Sequence, residues 1–572
     1  MLHRKIAVSL LAFSLFTPSF SAFAQTSAAT AAPATAVKTP YKASDEIIAK
    51  IKDEGINRSQ VMQTLSYLSD VIGARLTGSP SLKRANEWTR DTMTKWGLQN
   101  AHLEAWGPFG RGWELKSFSA QVTAPYDIPL VAYPKAWSPS TSGVLNADVV
   151  YLDAKDDAAL EKYKGQLKGK IVLISELREL SASEKPLSSR LSDKELTDMA
   201  AFDPSKPQTG GRPQGTPEER QKRMLAFAFS AKRANFVMQE GAAMIVDASR
   251  GTGGTIFVQS ASVAQEVPTD VAQMFSAKRL QPYQKESESK MLPQITLAPE
   301  HYNRLVRMIQ QGEKIKMSVD LQAQYLDQDP MAYNTIAEIP GTDPQLKNEV
   351  VMLGGHMDSW HAGTGATDNG AGVAVAMEAA RIIQSLGLKP RRTIRVALWS
   401  GEEQGLFGSR AYVKEHFGEM QGQSPAAAFG IPGGGSQGTL VKKPDYEKLS
   451  AYYNLDNGTG KIRGVYMQGN AAVRPIFETW FAPFKDMGAS TLTLANTGST
   501  DHIAFDGIGL SGFQFIQDTL EYETLTHHSN QDVYDRIQGD DIKEAATIMA
   551  AIVYQTAMMD EKMPRKPMTA KE

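Results

Sequence analysis

Five short stretches carry ionisable side chains of the kinds that metal-dependent hydrolysis uses. In Gly354-Gly355-His356-Met357-Asp358-Ser359 an imidazole and a carboxylate stand two residues apart, so both face one cavity where an extended chain leaves a sheet. There His356 can bind a metal through one ring nitrogen while a carboxylate, Asp358 being the nearest, orients the other N–H. Asp368, in Ala366-Thr367-Asp368-Asn369-Gly370-Ala371-Gly372, has two oxygens able to bridge two cations. Ser400-Gly401-Glu402-Glu403-Gln404-Gly405 supplies adjacent carboxylates that point different ways, so one can coordinate while the other accepts a proton from water. Asp456, in Asp456-Asn457-Gly458, adds a third acid, and His528 opens His528-Ser529-Asn530-Gln531-Asp532. Each stretch alone also reads blandly, as a surface pair, a turn or a solvated face. Together they supply two imidazoles, three acids and a spare glutamate in one order, which chance does not assemble.

These residues need a frame that brings them together. Strand and helix patterns alternate after about residue 325: strand Glu349–Gly354, helix Ala371–Ser385, strand Thr393–Trp399, a helix from near Leu406, and strand Ala451–Leu455. Helix Ala472–Met487, strand Leu510–Ile516 and a closing helix Ile542–Met558 continue the series. Such alternation predicts an α/β fold, a mixed central sheet with helices on both faces, and ligands collect beyond the carboxyl ends of such strands. Each of the five stretches falls at a predicted strand end or helix mouth. Earlier, Asp45 to Leu98 is helical in pattern, with a second helix from about Ser81 to Trp96. Between about Ala120 and Gln324 short β-type runs such as Ala147–Leu152 and Lys170–Ile174 predict a separate β-rich unit.

The series His356-x-Asp358, Asp368-Asn369-x-Ala371-Gly372, Gly401-Glu402-Glu403-x-Gly405, Asp456 and His528-Ser529-x-x-Asp532 resembles the M28 metallopeptidase family. Arg75-Leu76-Thr77-Gly78-Ser79-Pro80 is similar to that family's opening. The resemblance implies a zinc-exopeptidase fold of the phosphorylase/hydrolase type. It also implies two Zn2+, one on His356 and Asp456, the other on Glu403 and His528, with Asp368 bridging, although N and O ligands also accept Co2+ or Mn2+. Glu402 would be the general base and Asp358 the partner of His356. Leu167-Lys168-Gly169-Lys170-Ile171-Val172, Gly241-Ala242-Ala243-Met244-Ile245-Val246 and Leu292-Pro293-Gln294-Ile295 resemble the protease-associated (PA) domain that many members carry as an insertion. The expected division is a peptidase domain over 41–119 and 325–572 with the PA-like insertion at 120–324. Some relatives place an oxyanion-binding Tyr just before the last His; His527 stands there instead and is a candidate for that duty. Asp501, in Thr500-Asp501-His502, is expected to support the site or simply to start a helix. Trp360 and His361 are candidates for lining the substrate pocket.

Bulk properties narrow the class. Lys plus Arg (61) nearly balances Asp plus Glu (63), so no single-sign field favours nucleic acid or an anionic membrane. With no cysteine, disulfides, thiolate zinc sites and a Cys nucleophile are excluded. A basic start, an apolar run Ile6–Phe16 and Ala22-Phe23-Ala24 predict an export signal over 1–24, followed by a disordered Ala/Thr/Pro linker over 25–40. The run is shorter than the ~20 residues a spanning helix needs, so stable membrane insertion is not expected. The destination is the periplasm or the exterior. The expected partner is a peptide substrate, with a homodimer left open. An aminopeptidase is the first expectation; a carboxypeptidase or dipeptidase of the same family, an M20-type deacylase and a non-catalytic binding protein on the same scaffold are the alternatives. The loop 426–440, with Gly433-Gly434-Gly435, reads as a mobile flap rather than a phosphate loop.

Overall fold

The structure, a computed structural model, describes residues 40–182, 184–206, 217–267, 279–424, 436 and 438–566. The export segment, the linker through residue 39 and most of the 426–440 loop lie outside the described residues. No helix among the described residues is long and apolar enough to cross a membrane.

The alternating patterns build a mixed eight-stranded sheet. Across it lie Gln99–Trp106, Ala332–Ile339, Thr393–Trp399, Val350–His356, Leu449–Asn454, Gly512–Gln517, Ile462–Tyr466 and Thr491–Thr493. The four strands from Thr393–Trp399 to Gly512–Gln517 are parallel, and the pairings that flank them are antiparallel. Parallel strands are covered on both faces and therefore read as unbroken apolar runs; Val350, Val351, Met352 and Leu353 are all buried. On one face Val350 and Met352 share a core with Tyr412 of helix Phe407–His416 and Phe505 of helix His502–Asp506. On the other lies helix Ala371–Ser385, buried on every side from Ala371 to Ile383 and packed against Gly539–Met558 and Asp45–Asn57. A helix covered all round belongs in such a middle layer, where its two buried charges, Glu378 and Arg381, pair with each other at 2.7 Å.

Helix Ala371–Ser385 and strand Thr393–Trp399 have the predicted bounds. The helix expected over 472–487 is instead an α-helix, Arg474–Phe481, followed by a 3-10 stretch, Ala482–Met487. Pro483 lacks the N–H that would continue the α-helical ladder. Two strands at one side, Gln99–Trp106 and Ala332–Ile339, have no counterpart in the sequence reading.

Residues 112 to 326 form a second eight-stranded sheet, ordered Ile128–Pro129, Gly112–Ala124, Lys316–Leu326, Leu145–Tyr151, Ile171–Leu173, Met244–Ala248, Gln294–Leu297 and Ala132–Pro134. Its entering strand pairs with Lys316–Leu326 along its length, Gly112 opposite Leu326, so the chain enters this sheet at Gly112 rather than near residue 120. Helices Pro217–Gln239 and Pro299–Gln310 make the region less purely β than its sequence texture. The two sheets share an aromatic core that includes Trp106, Phe109, Trp113, Trp137 and Trp360.

Candidate active site

The parallel strands leave the first sheet side by side. His356 pairs with Trp399, and Gly354 with Asn454, so His356, the Ser400–Glu403 turn and Asp456 emerge at one level. Asp368 comes from the turn ahead of helix Ala371–Ser385, and His528 from the loop beyond strand Gly512–Gln517. They line a cavity of about 1100 Å³ together with Glu402, Glu403 and His527. The Asp368 turn is tied to the neighbouring strand end: Asn369 Nδ2 donates to the Leu455 carbonyl at 2.9 Å, and its Oδ1 accepts from Gly372 N at 2.9 Å. A Cβ on Gly372 would collide with that same carbonyl, which is why the motif needs Asn and Gly where it has them.

Asp368 stands between two imidazoles with one oxygen toward each. Its Oδ1 is 3.3 Å from His356 Nε2, and its Oδ2 is 3.3 Å from His528 Nε2. On the outer sides, Asp456 Oδ1 lies 3.3 Å from His356 Nε2 and Glu403 Oε2 lies 2.9 Å from His528 Nε2. Asp368 Oδ2 and Glu403 Oε1 are buried and make no hydrogen bond among the described residues. Imidazoles and carboxylates facing one another, with buried lone pairs left over, are a donor set that fits divalent cations. His527 also approaches, with Nε2 3.9 Å from Asp368 Oδ2, and Asp368, His527 and His528 offer ligand atoms within 4.8 Å of one another. His528 is the better ligand of the two because only its Nε2 also meets Glu403.

The support around these groups differs from the expected one. His356 Nδ1 pairs with the main-chain carbonyl of Asp358 at 2.9 Å, whereas the Asp358 carboxylate is 3.7 Å away, too far for a hydrogen bond. That carboxylate instead accepts from Glu402 N and Glu403 N, each at 3.2 Å, and from Thr77 Oγ1 at 3.0 Å. Asp358 therefore fixes the turn that presents both glutamates, and it orients His356 only through its backbone. Arg75, fully buried, donates to the carbonyls of Met357 at 2.7 Å, Thr364 at 2.9 Å and Gly365 at 2.7 Å, bracing the flanks of His356 and Asp368. Asp532 accepts from Thr367 N at 2.5 Å and Asp368 N at 3.2 Å.

Burial sets the electrostatics. It drives the Glu402 carboxyl well above its usual range, with Asp456, Asp501 and Glu403 adding to the push. Glu403 is raised in the same way by burial and then by Asp368. Against the upward push of burial, His356, His528 and His527 hold Asp368 below the usual carboxylate range. Burial opposes a charge on His356, yet Asp456 and Glu402 carry it well above its usual value. His528 and His527 are lowered by burial.

Asp501 is fully buried at the start of helix His502–Asp506, but its side chain does not cap that helix, and burial pushes its carboxyl up to about 7. Trp360 and His361 do not line the cavity. His361 Nε2 donates to the Pro134 carbonyl at 2.8 Å across the seam with the second sheet, and Trp360 lies edge-on to His528 at 6.0 Å. Tyr522, which no motif marked, lines the cavity and packs against His527 with ring centroids 4.7 Å apart and planes tilted by 33°. Arg75 and Thr77 stood out only within the stretch that resembles the family's opening, and no sequence signal marked Gln259.

Residues 334–553 match the model of peptidase family M28. Carboxypeptidase Q of Mus musculus is 25% identical over 512 residues, 89% of this chain and 87% of the relative. Residues 334–553 are a family M28 peptidase region. Aminopeptidase YwaD of Bacillus subtilis is 28% identical to the peptidase over 228 residues, 39% of the chain and 45% of the relative. In fold it is similar to a Peptidase M28 precursor from Shewanella amazonensis, with a TM-score of 0.60 at 21% identity over 91% of this chain and 99% of the other.

Proposed function

We propose that the peptidase is an exported exopeptidase that removes residues from the amino end of peptides at a two-zinc centre. The observation that carries this reading is Asp368, with one oxygen toward His356 and the other toward His528, and Asp456 and Glu403 closing the two outer sides. His356, Asp456 and Asp368 would hold one cation, and Glu403, His528 and Asp368 the other. Bound there, two divalent cations would polarise the scissile carbonyl and lower the pKa of water. Glu402, raised by burial, is suited to take a proton from the attacking water and return it to the leaving amine. His527 would donate to the developing oxyanion, a role supported by its position in the cavity wall. Residues 112–326 we assign to the inserted PA-like unit, and the first 24 residues to the export signal, which leads to the periplasm or the exterior.

A second reading, cleavage at the carboxyl end or of dipeptides, has its own support. The relative whose match runs nearly the length of the chain is named a carboxypeptidase. In addition, a recess of about 510 Å³ bordered by His527 and His528 also contains Arg250, a cation suited to a substrate carboxylate, while its other cation, Lys135, is paired with Asp247 of the same recess.

Metal analysis of the purified full-length chain, with assays on aminoacyl nitroanilides, dipeptides and N-blocked peptides, separates the readings. Two zinc equivalents and cleavage of free-amine substrates alone are expected. Release of residues from N-blocked peptides would establish the second reading. A protein that neither binds nor is activated by divalent metal would be a binding protein on a peptidase scaffold.

A further inference from the structure

The loop that follows strand Met244–Ala248 of the second sheet reaches the His528 segment and pairs with it. Phe257 and Ser529 form an antiparallel bridge, and Val258 N donates to the His528 carbonyl at 3.3 Å. Asn530 N donates to the Ile256 carbonyl at 3.0 Å, and Ile256 N donates to Asn530 Oδ1 at 2.7 Å. Between these bonds His528 has φ +64°, a left-handed conformation that a non-glycine residue keeps only when its surroundings impose it. One further contact goes to the ring itself: Gln259 Nε2 lies 3.0 Å from His528 Nδ1.

We infer that the second sheet completes the catalytic cluster, with Gln259 as the positioning residue of His528. This rests on the two-metal reading above. As it stands, Gln259 Nε2 donates to Nδ1, which leaves the ring proton on Nε2, where Glu403 accepts it at 2.9 Å. Metal ligation through Nε2 requires that nitrogen to be unprotonated, so the proton must lie on Nδ1 and needs an acceptor. Gln259 can meet both conditions by turning its amide over, because its oxygen accepts where its nitrogen donated. A glutamine here therefore suits both the empty and the loaded imidazole. A leucine suits neither, and a glutamate suits the loaded one. Held at the backbone by 256–258 and at the ring by Gln259, His528 answers to the second sheet as well as to the first, so affinity at its half of the cluster depends on a residue outside the family-matched region 334–553.

The test is zinc titration of the metal-stripped full-length protein against a chromogenic chelator, with melting of the metal-free protein measured in parallel. Wild type should take up two equivalents. Gln259→Leu should hold one as wild type does and the other about 10- to 100-fold more weakly, the usual effect of removing a ligand's hydrogen-bond partner. Gln259→Glu should hold both at least as tightly as wild type, and all metal-free melting points should agree because Gln259 is exposed. Gln259→Asn, one methylene short, should repeat the leucine result and keeps the test usable if the leucine variant misfolds. Wild-type affinity for both equivalents in Gln259→Leu and Gln259→Asn, or weakening in Gln259→Glu equal to theirs, would overturn the role. Wild type that binds no zinc would remove the two-metal reading and this inference with it.

Discussion

The molecule contains two eight-stranded mixed sheets, each with a central run of four parallel strands. By the rule that open sheets bind ligands beyond their carboxyl ends, both have a place for chemistry. In the first sheet those ends release His356, Glu402, Glu403 and Asp456 into one cavity. In the second they release Ser175 and Ser249, already satisfied: Tyr302 exchanges hydrogen bonds of 2.7 Å with the Ser175 backbone, and Arg178 closes on the Ser249 carbonyl at 2.7 Å. Topology thus fixes where a cleft opens, while the side chains at the strand ends decide whether it holds reactive groups. The end of the second sheet contributes by lending its 249–260 loop to His528.

The contrast is sharpest in paired substitutions. Asp368→Ala removes the group shared by both imidazoles and should lower kcat/KM on the order of 10³- to 10⁴-fold while abolishing tight binding of both metals. Ser175→Ala, at an equivalent strand end of the other sheet, removes the Oγ that accepts from Ala248 N at 3.0 Å and should cost about 1 kcal/mol of stability and leave turnover unchanged. Comparable losses of turnover in the two variants would break the comparison. Next in size, Glu402→Gln should cut kcat by about 100-fold or more with both metals retained, because it deletes the proton acceptor and keeps the shape. Near-full activity would take the general-base role away from Glu402.

How much of this was legible in the sequence follows the same division. The middle of the first sheet was readable because helix Ala371–Ser385 and strand Thr393–Trp399 are long, apolar and bounded by Gly and polar residues. The five clustered residues were readable because ligand types recurred at those strand ends. The flanking strands were not: Gln99–Trp106 carries a polar mixture with no clean alternation and is held by its neighbour rather than by its own pattern. Nor was the support of the site. Asp358 was expected to serve His356 by its carboxylate, but the choice between a side-chain acceptor at 3.7 Å and a main-chain acceptor at 2.9 Å, both on the same residue, is set by local backbone geometry that spacing does not encode. Gln259 reaches His528 across 269 residues of sequence, a separation that no local spacing can reveal.

The seam between the two regions is predicted to weaken in acid. Burial lowers His361 from 6.5 to about 4, so it is neutral in the folded protein at pH 7 and donates to Pro134 from Nε2. The unfolded chain takes up its proton below about 6.5, whereas the folded one does so only near 4. Stability is therefore fully present above 6.5 and is lost as pH falls toward 4, by about 2 kcal/mol at pH 5. Urea unfolding at pH 7.5 and pH 5 should show this loss in wild type and a smaller one in His361→Gln, which keeps a neutral donor. Equal losses in both would place the acid sensitivity elsewhere.

The smallest expected effect tests whether the opening helices belong functionally to the first sheet. Thr77 Oγ1 is one of three donors to the Asp358 carboxylate, and the other two are the backbone N–H groups of Glu402 and Glu403. Thr77→Val keeps the shape and removes one neutral donor from a buried carboxylate, at a cost of about 1 to 2 kcal/mol. Because the remaining donors belong to the glutamate turn, the loosened carboxylate should reach catalysis as a several-fold fall in kcat with KM nearly unchanged. Thr77→Ser restores the hydroxyl and should restore kcat. If the valine and serine variants lost stability alike and neither changed kcat, Thr77 would be packing for the helix and Asp358 would hold the glutamates without it.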